Sequence, residues 1–358
     1  MSEMNQITHL GDAGASVPLA PTPGATPKTS RVNTISWDVL WERYGIATIL
    51  LALWGIAALT IPAFGTSDNL TSLLLQSSFV GIGAIGMTMA ILMGTFDLSV
   101  VSTLGLCAWI AVSIAGQHQL LLAIVVTLVV GGFVGAINGS LIAFLRFPAF
   151  IVTLSMQFLI SGFHYILTTK VGNEEAHYSG HEFTSIGNGN IAGVPTPFVI
   201  FVACAIFGAW VIRYTPFGRY IFAAGSNPQA AQVAGVPVKR TLFFTFVAVG
   251  VFTALAGFLL GSRLYSAAPG LEPGYELNVI ATVVLGGTRL SGGRGSMLGT
   301  FAAALFFTTI NNVLNLLTYA GIIYIDPFAQ RVIVGMILLL ALSIEGIRAR
   351  LAERLNRR

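Results

Sequence analysis

The chain has 358 residues, of which 55% are apolar and only 9% charged. A soluble domain carries roughly 25% charged residues, so water is excluded as the main solvent for this surface, and a bilayer suits so large an apolar load. The net charge of +4 is no sign of nucleic acid, because the basic residues are sorted by side, as shown below.

Residues 1–36 are rich in Pro, Thr, Ala, Gly and Ser and contain no apolar stretch of signal-peptide type. They are predicted to be a disordered cytoplasmic tail, followed by a transmembrane domain over 37–358. Hydropathy predicts an all-α, polytopic transmembrane bundle of about ten spans, near 45–63, 70–93, 98–116, 120–145, 148–169, 197–213, 241–261, 276–288, 296–318 and 327–346. The segment 276–288 is short for a crossing and runs into Gly286 and Gly287, which suits a broken or re-entrant helix with its polar backbone facing protein or water. Cys107 and Cys204 both lie in apolar runs and read as free thiols.

Orientation follows from the basic residues of short loops. With the N-terminus inside, the inner side receives Lys28, Arg31, Arg43, Arg146, Arg213, Arg219, Lys239, Arg240, Arg289, Arg294 and the basic C-terminus. Lys170, Arg263 and Arg331 fall outside, beside the acidic Asp68, Glu174, Glu175, Glu182, Glu272, Glu276 and Asp326. Both termini are therefore expected in the cytoplasm and the loop 170–195 in the periplasm.

Three segments carry chemical signal. In Gly94-Thr95-Phe96-Asp97-Leu98-Ser99, a carboxylate near the membrane must be wet, paired or capping, because insertion scales penalise it by roughly 2.5–3.5 kcal/mol. Asp97 thus reads either as a cap for the helix that follows or as part of the transport path or its gate. Leu285 to Gly295 repeats the Gly-Thr and Leu-Ser elements after an apolar run, a short echo of the first segment. It is glycine-rich, yet no Gly-x-x-x-x-Gly-Lys-[Ser/Thr] pattern occurs in the chain.

The loop 214–240 holds a short punctuated helix. Asn227 suits the N-cap and Pro228 the first position; Gln229, Ala230 and Ala231 continue to Ala234, and Gly235 stops it. Two turns are not stable alone in water, so this helix needs a surface, on its own bundle or on a partner. No Lys or Arg lies between Asn227 and Val238, which disfavours a lipid surface and favours a soluble partner. Gln76, Gln157, Asn311 and Asn315 lie within spans, the last two at i,i+4 spacing; they read as interhelical hydrogen bonds or as the lining of a polar path. No metal-ligand set and no nucleophile–base pair stands at recognisable spacing, so no enzyme activity is expected.

On these residues the chain, from about 46 to 347, resembles the permease family of bacterial ABC sugar importers, which handle ribose, xylose, arabinose, galactose and similar solutes. Gly94 to Val100 matches the family's Gly-x-x-Asp-Leu-Ser-Val motif, with Thr95-Phe96 where Gly-Ile is more usual. Gly218-Arg219-Tyr220 through Asn227-Pro228-Gln229-Ala230-Ala231 to Gly235 resembles its ATPase-coupling segment, and 281–295 its late glycine motif. The resemblance implies a bacterial inner-membrane core of two permeases, identical or different, with cytoplasmic ATPases and a periplasmic solute-binding protein. It also implies alternating access driven by ATP that the partner subunit, not this chain, consumes; no cofactor is expected here. Permeases for nucleosides and branched-chain amino acids share the layout and stay open as alternatives. An ion-coupled secondary transporter needs intramembrane relays, whereas Asp97, Glu276 and Arg331 sit only near span ends.

Overall fold

The computed structural model describes residues 37–115, 119–171, 176–177, 181–271, 273–324 and 326, with eight further positions between 329 and 343. The tail 1–36, Glu174, Glu175, Glu272, Arg331 and most of the span expected at 327–346 lie outside the described residues. Among those described, helices dominate: α1 Trp37–Thr60, α2 Ser67–Leu92, α3 Val100–Ala115, α4 Leu120–Ala143, α5 Ala149–Val171, α6 His181–Asn188, α7 Thr196–Tyr214, α8 Pro216–Ser226, α9 Pro228–Val233, α10 Val238–Leu264, α11 Tyr275–Leu285 and α12 Met297–Tyr319. Of these, α2, α4, α5, α7, α10 and α12 are long and apolar enough to cross a membrane, and α3, α11 and the stretch Gly45–Thr60 are shorter apolar helices. The bundle is all-α and polytopic, as the hydropathy predicts.

Glycines set the helix packing. Gly131, Gly135 and Gly139 form a stripe on α4 against α10, where a Cβ at Gly131 would lie 2.5 Å from the Gly250 carbonyl oxygen and one at Gly139 2.9 Å from that of Phe243. Backbones that approach this closely gain dispersion over their whole length, which associates helices without a hydrophobic drive. Elsewhere on α4, Leu121, Val125, Val129 and Phe133 repeat every four residues and are all half-exposed or more. That stripe is natural where hydrocarbon is the solvent.

Near one end of the bundle, two-residue strands β1 Ala176–His177 and β4 Ser266–Ala267 pair antiparallel, while β2 Asn190–Ile191 and β3 Val194–Pro195 make a second small pair. Ser262 at the end of α10 donates to the Phe183 carbonyl at 2.5 Å, and the Asn188 amide donates to the Ser262 and Arg263 carbonyls at 3.4 and 3.3 Å. These bonds seat α6 on the end of α10.

The short helix α11 begins deep inside the bundle. The Tyr275 hydroxyl donates to the Phe79 carbonyl at 3.0 Å, and Phe79 is the midpoint of α2. One turn on, Val279 packs where a Cβ at Gly83 would lie, 3.4 Å away. The chain therefore leaves α10, pairs β4 with β1, turns back inward and starts α11 halfway along its neighbour. The segment read as a short, broken or re-entrant span is thus a helix of eleven residues, about half the length of α2. Glu276, grouped by sequence with the outer acidic residues, stands in the first turn of that short helix.

Candidate functional site

The helix expected within 214–240 is present as α9, and it is punctuated as its residues dictate. The Asn227 side chain accepts the Ala230 amide at 3.0 Å, Pro228 opens the first turn, and Gly235 sits in the left-handed region at φ +82°. Among α9 residues Ala231 is buried, whereas Pro228, Gln229 and Ala230 are exposed and Val233 is 91% exposed. A second helix precedes it. In α8 Thr215 caps the Gly218 amide at 3.2 Å with Pro216 in the first turn, and Asn227 ends α8 while starting α9. That helix was not expected from the sequence, although Thr215-Pro216 is itself a start signal. Gly218 is packed on the Ile212 backbone, and Arg219 is exposed.

The last residues of α8 lock into two loops. The Gly293 amide donates to the Leu92 carbonyl at 2.8 Å. A Cβ at Gly225 would overlap that same carbonyl and lie 2.9 Å from the Gly293 nitrogen. A Cβ at Gly292 would stand 2.8 Å from the Gly94 nitrogen and 2.9 Å from the Gly225 oxygen, and one at Gly293 would meet the Ser226 backbone. Gly94 (φ +74°) and Gly292 (φ +85°) also hold left-handed turns. The two segments that echo each other in sequence thus meet in space, and the base of α9 rests on their junction. Three backbones touch there, with the Ser226 hydroxyl the nearest group to a Cβ placed at Gly293.

Three residues beyond Gly94, Asp97 is 2% exposed. Its Oδ1 accepts the Ser99 amide at 2.8 Å and the Ser99 hydroxyl at 2.6 Å, and its Oδ2 accepts Asn138 Nδ2 of α4 at 3.2 Å. The same Asn138 nitrogen donates to Ser99 Oγ at 2.9 Å. The carboxylate does accept a backbone amide at the start of α3, but across a two-residue turn, and Ser99 is the residue adjoining the helix. Burial pushes the Asp97 carboxyl above its usual range, and the bonds from Ser99 and Asn138 act against that shift. Asp97→Ala takes the acceptor from the Ser99 amide and hydroxyl and from one of the two bonds of Asn138, and is expected to cost about 1–3 kcal/mol. The checking measurement is thermal unfolding in detergent, with Asp97→Asn losing less; an unchanged midpoint for the alanine variant would contradict a structural role.

The remaining sequence candidates are dispersed. Gln76 is exposed on α2. Asn311 donates to the Phe307 carbonyl of its own helix at 3.1 Å, and exposed Asn315 accepts Gln330 at 2.8 Å. Their neighbour Asn312 exchanges amide hydrogen bonds with Asn69 at 2.7 and 3.1 Å, and Trp54 donates to Thr309 at 2.9 Å, so polar bonds join α1, α2 and α12. Gln157 lines a cavity with residues of α3 and with Pro273 and Glu276, well away from that cluster in the chain.

A lipid-solvated helical bundle with a half-length apolar helix and an exposed, capped helix wired into its interior defines a multi-pass membrane permease. The chain belongs to the branched-chain amino acid transport system / permease component family, whose model matches residues 69–342. It is 38% identical to the L-arabinose transport system permease protein AraH of Escherichia coli K12 over 313 residues, 86% of this chain and 92% of that one. Against the ribose import permease protein RbsC it is 37% identical in Escherichia coli K12, covering 88% of this chain and 96% of the relative. The RbsC of Bacillus subtilis is 36% identical, covering 89% and 98%. No solved structure matches the chain.

Proposed function

We propose that this protein is the permease subunit of an ATP-binding-cassette importer that carries a monosaccharide across the bacterial inner membrane. Two such subunits, identical or different, form the membrane core, and a separate cytoplasmic ATPase drives alternating access. A periplasmic binding protein delivers the solute. The end bearing α8 and α9 faces the cytoplasm and the β1–β4 end faces outward, an assignment that rests on the basic residues of the inner loops. Relatives named for arabinose and ribose, matching along nearly the whole chain, support the solute class.

One observation carries the mechanism: a capped, exposed helix without Lys or Arg, in a chain lacking a nucleotide-binding motif. α9 fits a cleft on the ATPase, and the glycine junction passes its displacement to α2–α3 and α11–α12. Gly218, Arg219, Asn227, Pro228, Gln229, Ala230, Ala231 and Gly235 build or position that contact. Asp97 holds the turn through which the displacement enters α3, and Gln157 faces the path. Gln76, Asn311 and Asn315 are further candidates for the path or its gate.

Vesicles containing this chain, its ATPase and a sugar-loaded binding protein should accumulate labelled sugar only with ATP on the ATPase side. Equal uptake without ATP would overturn the proposal. The family's description favours one second reading, a branched-chain amino acid as solute; uptake of leucine in preference to arabinose or ribose would establish it.

A further inference from the structure

We propose that the cavity lined by α3, α5 and the residues Pro269, Gly270, Pro273, Gly274 and Glu276 is a binding site for one neutral, polyhydroxylated solute molecule on its way through the protein. This rests on the transport reading above and adds a place and a chemistry to it.

The cavity holds about 290 Å³, near the lower end of small-molecule pockets. Ser102, Gln157, Ser161, His164 and Glu276 supply its polar groups, and Pro269 and Pro273 contribute apolar wall. Hydroxyl, amide, imidazole and carboxylate together offer both donors and acceptors, as a ring of sugar hydroxyls requires. Two of these groups are short of partners. His164 is 2% exposed and its Nε2 has no hydrogen-bond partner among the described residues; the same holds for buried Oε2 of Glu276. Buried polar atoms are normally satisfied, so two orphans among the residues lining one cavity point to a ligand that completes them.

The lining also discriminates. It includes a carboxylate and no Lys or Arg. A zwitterionic amino acid or a phosphorylated sugar would bury its anion here without a strong cationic partner, a costly arrangement. A neutral polyol meets no such penalty.

The floor of the cavity is tied to the other end of the protein. The Ser102 hydroxyl donates to the Ser99 carbonyl at 3.0 Å, and Ser99 is held by Asp97, three residues from the glycine junction. Movement at the base of α9 therefore reaches a cavity-lining residue through one short stretch of chain.

Gly105 provides the test, because a Cβ there meets only the His164 ring, at 3.8 Å. In vesicles carrying the complete transporter, the control Gly162→Ala, whose Cβ meets nothing within 4 Å, should keep uptake of D-ribose or L-arabinose within about twofold of the parent. Gly105→Leu fills the cavity and should lower uptake at least tenfold, while the loaded binding protein still stimulates ATP hydrolysis. Undiminished uptake by Gly105→Leu would overturn the proposal. Should that variant lose ATPase stimulation as well, Ser161→Cys in the permease–ATPase complex decides. Its reaction with a maleimide, above the background of native Cys107 and Cys204, should slow at least threefold with saturating D-ribose or L-arabinose and not with L-leucine. Protection by neither sugar, or equal protection by leucine, would refute the site. If the parent complex transports neither sugar, the transport reading fails instead, and the labelling still reports on the cavity.

Discussion

Gly225→Ala is expected to cut ATP-driven uptake at least tenfold, a large effect for one methyl group. The added carbon overlaps the Leu92 carbonyl oxygen and crowds the Gly293 nitrogen. These are backbone atoms, unable to swing aside as a side chain would. Relief requires the end of α8 to lift from the junction, which breaks the Gly293–Leu92 hydrogen bond of 2.8 Å and frees α9 from the loops it should move. Overpacking of this kind costs about 1–3 kcal/mol, so the bundle is expected to insert and fold, and the loss should fall on transport. Comparison with Gly162→Ala isolates the cause, since a Cβ at Gly162 in α5 meets nothing within 4 Å. That variant should transport like the parent. Equal uptake by both would show that the junction does not transmit motion.

Gly235→Val should uncouple the transporter by a different route. Nothing lies within 4 Å of a Cβ at Gly235, so no clash arises. The cost is conformational: φ is +82°, and a left-handed backbone penalises an L-residue by roughly 1–2 kcal/mol, more for a β-branched one. The strain is relieved by unwinding the end of α9, where the Gly235 and Val236 amides now donate to the Gln232 and Ala231 carbonyls at 3.1 and 2.9 Å. Membrane insertion should be intact, ATP hydrolysis should continue, and solute moved per ATP should fall severalfold. Gly235→Asn, which tolerates left-handed geometry better, should recover most of the coupling. A normal ratio in the valine variant would show that the end of α9 is not the point of contact.

The sequence discloses those parts of the fold that depend on local chemistry. Nine of the ten hydropathy segments coincide with described helices, because a bilayer rewards long apolar runs wherever they fall. α9 was legible down to its cap and stop, since Asn227, Pro228 and Gly235 act within a few residues of one another. Facing was not legible. In a lipid-solvated bundle both sides of a helix are apolar, so the 3.6-residue pattern that orients a soluble helix is flat. Gln76, exposed on α2, and Ser77, fully buried beside it, cannot be told apart by period. Neither could the cavity be foreseen: Ser102, Gln157 and Glu276 come from three distant segments, and Glu276 reads as an outer residue until the chain is seen to turn back. The junction left a trace, the repeated Gly-Thr and Leu-Ser elements, but contact between the two copies depends on tertiary structure.

Starting a helix at mid-depth has a cost that falls on permeability. First-turn amides of a helix lack partners within it, and at α11 the capping position is Gly274, which has no side chain to offer. Hydrocarbon cannot serve them, so protein groups or water must meet the head of α11. Wherever water takes that place, insulation against ions is left to the stretch alongside α11 itself, eleven residues or roughly 16 Å, about half a hydrocarbon core of some 30 Å. Loosened packing there would surface first as a leak of small ions that dissipates the membrane potential.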